Sequence, residues 1–321
     1  MPGDHRARET KQPRRAVEAA TRTKPLLWNA EEADMTFGEG THTYRADEGW
    51  GRLPEGWSLG WTPAVGVDSK DRIYVYSRSE HPVIVFDREG SFLCSWGEDI
   101  LKDAHGICID SDDIIYCVER ETHCVRKLTS DGELLMTLGT PDMAGAVGEP
   151  FRKPTDLGID SSGFLYISDG YDNACVHKYS PDGEHVLTWG KPGTGPGEFD
   201  LPHSVKVDRE DRIMVADRAN NRIQIFDTEG KYLTEWTGLH HPDTLFIDRE
   251  DVVYVAELDH RVSIWTLEGE RLAEWGGGAA SETPGEFLGC PHGIWTDSKG
   301  DLYVGEVRID NRYQKFVRVG S

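Results

Sequence analysis

The chain has 321 residues, of which 37% are hydrophobic and 35 are glycine, and its formal net charge is −22. This size and glycine content suit one domain of short strands joined by many turns. The negative charge argues against binding to nucleic acid, which requires a basic surface, and against binding to anionic membranes. No stretch reaches the roughly 18 apolar residues that would span a bilayer.

The N-terminal part of the chain differs from the rest. Residues 1–25 are rich in Lys and Arg and contain no apolar core of the kind that a signal peptide carries. We therefore predict a mostly disordered tail over residues 1–40 and a folded domain over residues 41–321. The six cysteines show no C-x-x-C spacing. Without a secretion signal, we expect reduced thiols and a cytoplasmic location.

A short sequence motif recurs six times after residue 60, at intervals of about 40 to 50 residues. This period is typical of propellers and solenoids. Each copy has one variable position, called the slot below. Mostly apolar residues, an aspartate, a turn and a strand such as Ile-Tyr-Val follow it. The repeat aspartates are Asp68, Asp110, Asp160, Asp208, Asp248 and Asp297. Short strands and polar, Gly-rich turns indicate antiparallel meanders, and four strands per unit, repeated radially, make a propeller. We predict an all-β, six-bladed β-propeller.

The sixth repeat leaves the predicted ring one strand short. It ends near residue 319 after three strands, so another segment must supply its outer strand. Residues 41–46, which precede the first repeat, are the natural donor. Such closure hides the sheet edges that would otherwise be exposed. We therefore predict an N-terminal outer strand in the last blade and very little helix.

The variable slot lies five residues before each repeat aspartate, and every second copy places a histidine there. The six slots hold Pro63, His105, Thr155, His203, Asp243 and His292. Equivalent positions in a six-bladed ring are about 60° apart, so the three histidines should converge at about 120° around the axis. Three imidazoles with an open fourth position are typical of catalytic zinc sites. The alternative is three structural histidines at the starts of inner strands.

A second position repeats with similar regularity, nine residues after each aspartate. It holds Ser77, Glu119, Asp169, Asp217, Glu257 and Glu306. We expect the five acids to bind neighbouring backbone amides or an adjacent arginine, and so to be architectural. The serine of the first repeat is the exception, and Arg78 follows it.

Several motifs together resemble one family. They are His105-Gly-Ile-Cys-Ile-Asp110, Ser168-Asp-Gly-Tyr171, Pro202-His-Ser204, the stretch from Val215 to Asn220, and Pro291-His292. From about residue 75 to residue 316 the chain resembles the NHL repeats of the peptidyl-α-hydroxyglycine α-amidating lyases. The resemblance implies that His105, His203 and His292 bind zinc, or another divalent transition metal that imidazoles suit. It also implies an active-site tyrosine at Tyr171 and pocket arginines at Arg78 and Arg218.

The chemistry that the resemblance implies is cleavage of a carbinolamide, an N–C(OH) centre, into an amide and glyoxylate. Tyr171 would be the general base and Arg78 would hold the substrate carboxylate. Arg218 would approach the substrate, or else pair with Asp217 or with a neighbouring blade. The expected partner is a small molecule, and the oligomeric state stays open.

The chain also departs from the secreted lyases. Gly293 stands where they carry an aspartate associated with calcium, so we expect no calcium site of that make-up. Their disulfide positions hold Arg152 with Asp172 and Met214 with Ile225, which agrees with a reducing compartment. Two other functions remain open: a metal-dependent hydrolase of a lactone or cyclic amide, with Asp243 positioning water, and a non-enzymatic interaction platform.

Overall fold

The structure is a computed structural model that describes residues 35–145 and 151–320. Most of the predicted tail, residues 1–40, lies outside the described residues. Within them the regular secondary structure is all strand apart from one short 3-10 helix at Arg218–Asn220. No helix in these ranges is long and apolar enough to cross a bilayer.

Five blades are four-stranded antiparallel sheets built from consecutive strands. The first comprises β3 to β6: Ala64–Val67, Ile73–Tyr76, Val83–Phe86 and Phe92–Trp96. The second comprises β7 to β10: Ala104–Ile109, Ile115–Glu119, Cys124–Leu128 and Leu134–Leu138. The third comprises β11 to β14: Pro154–Ile159, Leu165–Asp169, Cys175–Tyr179 and His185–Trp189. The fourth comprises β15 to β18: Pro202–Val207, Ile213–Asp217, Arg222–Phe226 and Tyr232–Thr237. The fifth comprises β19 to β22: Pro242–Ile247, Val253–Glu257, Arg261–Trp265 and Arg271–Gly276.

The sixth blade joins the two ends of the folded chain. It comprises β23 to β25 (Cys290–Thr296, Leu302–Val307 and Tyr313–Arg318) followed by β2 (His42–Asp47) and β1 (Phe37–Glu39). The strand β2 pairs antiparallel with β25. The prediction of a six-bladed propeller closed by an N-terminal outer strand is therefore confirmed. The strand β1 lies before residue 41, where the propeller was predicted to begin.

The apolar core lies between neighbouring blades. Trp96, at the end of the first blade's outer strand, packs with Ile107 and Ile115 of the second blade. The turn that precedes the outer strand of the second blade lies against the indole ring of Trp96. Gly132 in that turn has a φ of +85°, and a Cβ there would lie 2.8 Å from Trp96. Glycine is therefore required by both the backbone conformation and the close approach.

The repeat aspartates close the hairpin between the first two strands of each blade. Asp160 is typical: its Oδ1 accepts hydrogen bonds from the backbone N–H of Ser162 and Phe164, each at 2.9 Å. Its Oδ2 accepts from the hydroxyl of Tyr166 at 2.9 Å. The first strands of the blades stand side by side around the axis: each contacts the next, and β23 contacts β3. The six slots thus lie at one end of the axis.

Candidate metal centre

β-Bulges set the direction of the slot side chains in five of the six blades. In the second to sixth blades the pairing of the first two strands shifts at the slot residue, as between Ala104 and Gly106 around His105. A bulged residue has no partner in the ladder, so its side chain can be redirected. The first blade has no such shift, because its inner strand begins at Ala64, after Pro63.

The repeated acids hold the chain just before each slot. Each accepts a hydrogen bond from a backbone N–H shortly upstream of the bulge. The pairs are Glu119 with Lys102, Asp169 with Arg152, Asp217 with Asp200, Glu257 with His240, and Glu306 with Gly289. All five acids are buried. Their architectural role, expected from the repeat pattern, is confirmed.

The structure brings the three predicted metal ligands together. The ring centroids of His105 and His203 are 4.8 Å apart, and each lies 5.0 Å from that of His292. One ligand nitrogen from each ring lies within 4.8 Å of the other two. All three side chains are buried at the axis.

Hydrogen bonds fix which nitrogen of each imidazole faces the axis. Nδ1 of His105 lies 2.8 Å from the carbonyl oxygen of Thr155, in the slot of the next blade. His203 makes the same contact with Asp243 at 2.9 Å, and His292 with Pro63 at 2.7 Å. A carbonyl only accepts, so each Nδ1 carries the hydrogen and each Nε2 keeps its lone pair for a metal.

Burial keeps these rings neutral. Burial and then the charge of Arg218 lower the pKa of His292 to about 3. The same two causes lower the pKa of His203, and burial followed by the neighbouring His292 lowers that of His105. Neutral imidazoles with free Nε2 lone pairs are the form that binds metals. The residues present therefore fit a divalent transition metal.

Tyr171 completes one side of the site. It follows β12, and its hydroxyl lies 3.3 Å from Nε2 of His105 and 3.2 Å from Nε2 of His203. The guanidinium carbons of Arg120 and Arg218 lie 5.2 and 5.4 Å from its ring centroid. Such cation–π contacts fix the ring, so the hydroxyl is held beside His105 and His203.

Asp243 lies beside His292. Its Oδ1 accepts a hydrogen bond from Arg218 at 2.7 Å, and its Oδ2 lies 3.1 Å from Nε2 of His292. Burial raises the pKa of this carboxyl to about 7, although Arg218 opposes the shift. Arg218 thus pairs with a neighbouring blade, and Asp217 instead accepts from Arg222.

Arg78 lies at the edge of the site with Arg120, which the sequence interpretation missed. Nε of Arg78 donates to the carbonyl oxygen of Ala104 at 3.0 Å, and both guanidinium groups lie 3.5 Å from the carboxylate of Asp103. The repeat pattern could have predicted Arg120. Arg120 follows Glu119 as Arg78 follows Ser77 and as Arg218 follows Asp217.

Comparison with known proteins agrees with this fold. A family model for a 6-bladed beta-propeller matches residues 159–243. Human NHL repeat-containing protein 3 is 36% identical over 208 residues, covering 60% of this chain and 59% of the human protein. Peptidyl-alpha-hydroxyglycine alpha-amidating lyase 1 of Drosophila melanogaster is 29% identical over 170 residues, covering 49% of this chain and 31% of the fly protein. The chain is a homologue of both, as its motifs predict.

These matches have a limited extent. The chain spans less than two thirds of the length of either relative. Among solved structures, a streptogramin B lyase superposes with a TM-score of 0.57 at 14% identity, covering 89% of this chain and 88% of that one. At this identity the likeness concerns the fold alone. The NHL-repeat homology therefore defines the scaffold, while the activity is argued from the site.

Proposed function

We propose that this protein is a metal-dependent lyase that cleaves a carbinolamide into an amide and glyoxylate or a similar carbonyl compound. The observation that carries the proposal is the meeting of three neutral imidazoles with the hydroxyl of Tyr171 at the propeller axis. The amidating lyases among the homologues support the same chemistry. A purely structural trio would not require three free Nε2 lone pairs to face one point.

The residues account for each part of the reaction. Zinc, or another divalent metal, held by His105, His203 and His292 would supply Lewis-acid chemistry toward the substrate hydroxyl. Tyr171, as its phenolate, would accept the hydroxyl proton, and the electron pair of the O–H bond would form the new carbonyl as the C–N bond breaks. The departing nitrogen takes up a proton and becomes the amide. No electrons are gained or lost, so no redox cofactor is needed.

The arginines supply a place for the substrate carboxylate. Burial lowers the pKa of Arg78, with Asp103 opposing this shift and Arg120 adding to it. The two guanidinium groups share Asp103 at 3.5 Å, which is longer than a good ion-paired hydrogen bond. Nε of Arg78 donates to Ala104 and Nε of Arg120 lies 3.0 Å from Glu121, but the terminal NH2 groups of both arginines make no hydrogen bond to a described residue. These groups remain available to a planar carboxylate, which arginine binds in a fork geometry. We expect Arg78 and Arg120 to orient a small α-hydroxyglycine-like substrate.

The test is glyoxylate release from a small N-acyl-α-hydroxyglycine, before chelation, after chelation and after zinc is added back. We expect turnover that chelation abolishes and zinc restores, and no restoration in His203→Ala. Turnover that survives chelation would count against a metal-dependent lyase, and no turnover from the zinc-loaded chain would count against the lyase proposal itself. Solvent oxygen in the acyl product would instead identify the protein as a hydrolase.

A further inference from the structure

One buried carboxylate oxygen at the axis lacks a partner. Asp243 is fully buried, in the slot of the fifth blade. Its Oδ1 is bound by Arg218, but its Oδ2 makes no hydrogen bond to any described residue. An unpartnered buried polar atom costs free energy, and a buried carboxylate more than most. The oxygen is therefore placed for a group that binds at the axis.

The neighbouring atom indicates what that group is. Oδ2 of Asp243 lies 3.1 Å from Nε2 of His292. That nitrogen presents a lone pair, because Nδ1 of the same ring donates to Pro63. Two electron-rich atoms at this distance repel one another unless a proton or a metal cation lies between them. Ligand bonds of about 2.0 to 2.2 Å place adjacent ligands of one metal about 3 Å apart, which matches the observed separation.

We propose that Asp243 is a fourth protein ligand of the metal, joining His105, His203 and His292. This inference rests on the metal site of the proposed function and extends its ligand set. The carboxylate would reach the metal beside His292, whereas the hydroxyl of Tyr171 lies beside His105 and His203. Substrate would then bind at a fifth or sixth coordination position.

Two consequences follow for the neighbouring residues and the metal. Arg218 becomes a positioning residue, because it holds one oxygen of Asp243 and turns the other toward the ligands. The added carboxylate supplies a hard oxygen donor and a negative charge. Such a set favours metals that accept higher coordination, such as Mn²⁺ or Fe²⁺, more than three imidazoles alone do.

The experiment measures the affinity of the metal-free full chain for Co²⁺ by competition with a chelator, in wild type, Asp243→Asn and Asp156→Asn. Asp156 is the matched control because it is another buried carboxylate of an inner strand, but it is bound by Lys206 at 2.6 Å. We expect Asp243→Asn to weaken binding by about 100-fold or more, beyond the usual effect of an outer-shell partner. Asp156→Asn should stay within about 3-fold of wild type, and only Asp243→Asn should alter the Co²⁺ absorption spectrum.

Equal affinity and spectrum in the two variants would overturn the ligand assignment and leave the lyase proposal standing. A wild-type chain that binds no divalent metal would overturn both. A crystal structure of the metal-loaded wild type gives an independent answer if Asp243→Asn does not fold. A distance of about 2.0 to 2.2 Å from metal to Oδ2 is expected, and one beyond about 3 Å would refute the assignment.

Discussion

At the scale of single residues, the hydroxyl and the ring of Tyr171 have separable roles. The ring contacts Arg120 and Arg218, whereas the hydroxyl contacts Nε2 of two histidines. Tyr171→Phe keeps the ring and removes the proton acceptor. We expect kcat to fall by about 10²- to 10⁴-fold, the usual worth of a general base, with metal content unchanged. Steady-state kinetics and metal analysis of the same preparation check this.

The control for that change is Tyr166→Phe. The hydroxyl of Tyr166 binds Asp160 in a turn of the third blade, away from the axis. This variant should keep its turnover even if its stability drops. Near-normal turnover in Tyr171→Phe would remove the tyrosine from the proton-transfer step.

The role of Arg120 is tested through the substrate. Arg120→Gln removes one of the two guanidinium groups that share Asp103. A charge-assisted hydrogen bond is worth about 1.5 to 3 kcal/mol, so we expect kcat/KM to fall by roughly 10- to 150-fold. A substrate analogue with a carboxamide in place of the carboxylate should react equally well with both proteins. If the analogue lost as much rate as the acid, Arg120 would have a role other than carboxylate binding.

At the scale of strands, the third blade differs from the others in what its buried acid binds. In four other blades the buried acid at the end of the second strand pairs with an arginine. These pairs are Glu119 with Arg126, Asp217 with Arg222, Glu257 with Arg261, and Glu306 with Arg312. The acid of the third blade, Asp169, instead contacts Nε2 of His177 at 3.3 Å and the amide of Asn173 at 2.7 Å.

This arrangement predicts a pH dependence of stability. Burial raises the pKa of Asp169, but hydrogen bonds from His177 and Asn173 outweigh it and bring the pKa below its usual 3.8. The stabilisation is therefore present above pH 3.8 and is lost as the pH falls through the lower folded-state value. Asp169→Asn should lower the free energy of unfolding by about 2 kcal/mol at pH 7, and by less near pH 3.

Urea unfolding at both pH values measures this difference. Asp172→Asn removes the same charge from a partly exposed carboxylate nearby and controls for the change in net charge. A deficit in Asp169→Asn that is equal at pH 7 and pH 3 would show that the carboxylate charge does not carry the stabilisation.

The repeats explain what the sequence could and could not predict. Slot spacing is a one-dimensional property that maps directly onto rotation about an axis, so His105, His203 and His292 were predictable. The unpartnered oxygen of Asp243 was not predictable, because it depends on the distance between Asp243 on the fifth blade and His292 on the sixth. Strand β1 was missed for a similar reason: Phe37 packs on Phe316, a contact between distant parts of the chain.

At the scale of the whole molecule, closure of the ring depends on β2. This strand covers the edge of β25, and its Tyr44 is fully buried against the ring of Trp275 in the fifth blade, with 5.6 Å between centroids. Without β2, the backbone groups of β25 would be exposed as a pairing edge. The proposed metal ligand His292 lies on β23 of the same sheet, so closure also supports the candidate site.

Two truncations that differ only in β1 and β2 test this closure. Removing residues 1–34 leaves both strands in place. We expect the thermal midpoint of this shortened chain to match that of the full chain. Removing residues 1–47 deletes both strands. The lost burial of Phe37 and Tyr44 alone is worth at least about 3 kcal/mol, and the exposed edge should promote association between molecules. Thermal unfolding and size-exclusion chromatography of the pair measure both effects. A monomeric 48–321 chain with an unchanged midpoint would mean that the propeller is stable as an open ring, and the N-terminal strands would then have to serve another purpose.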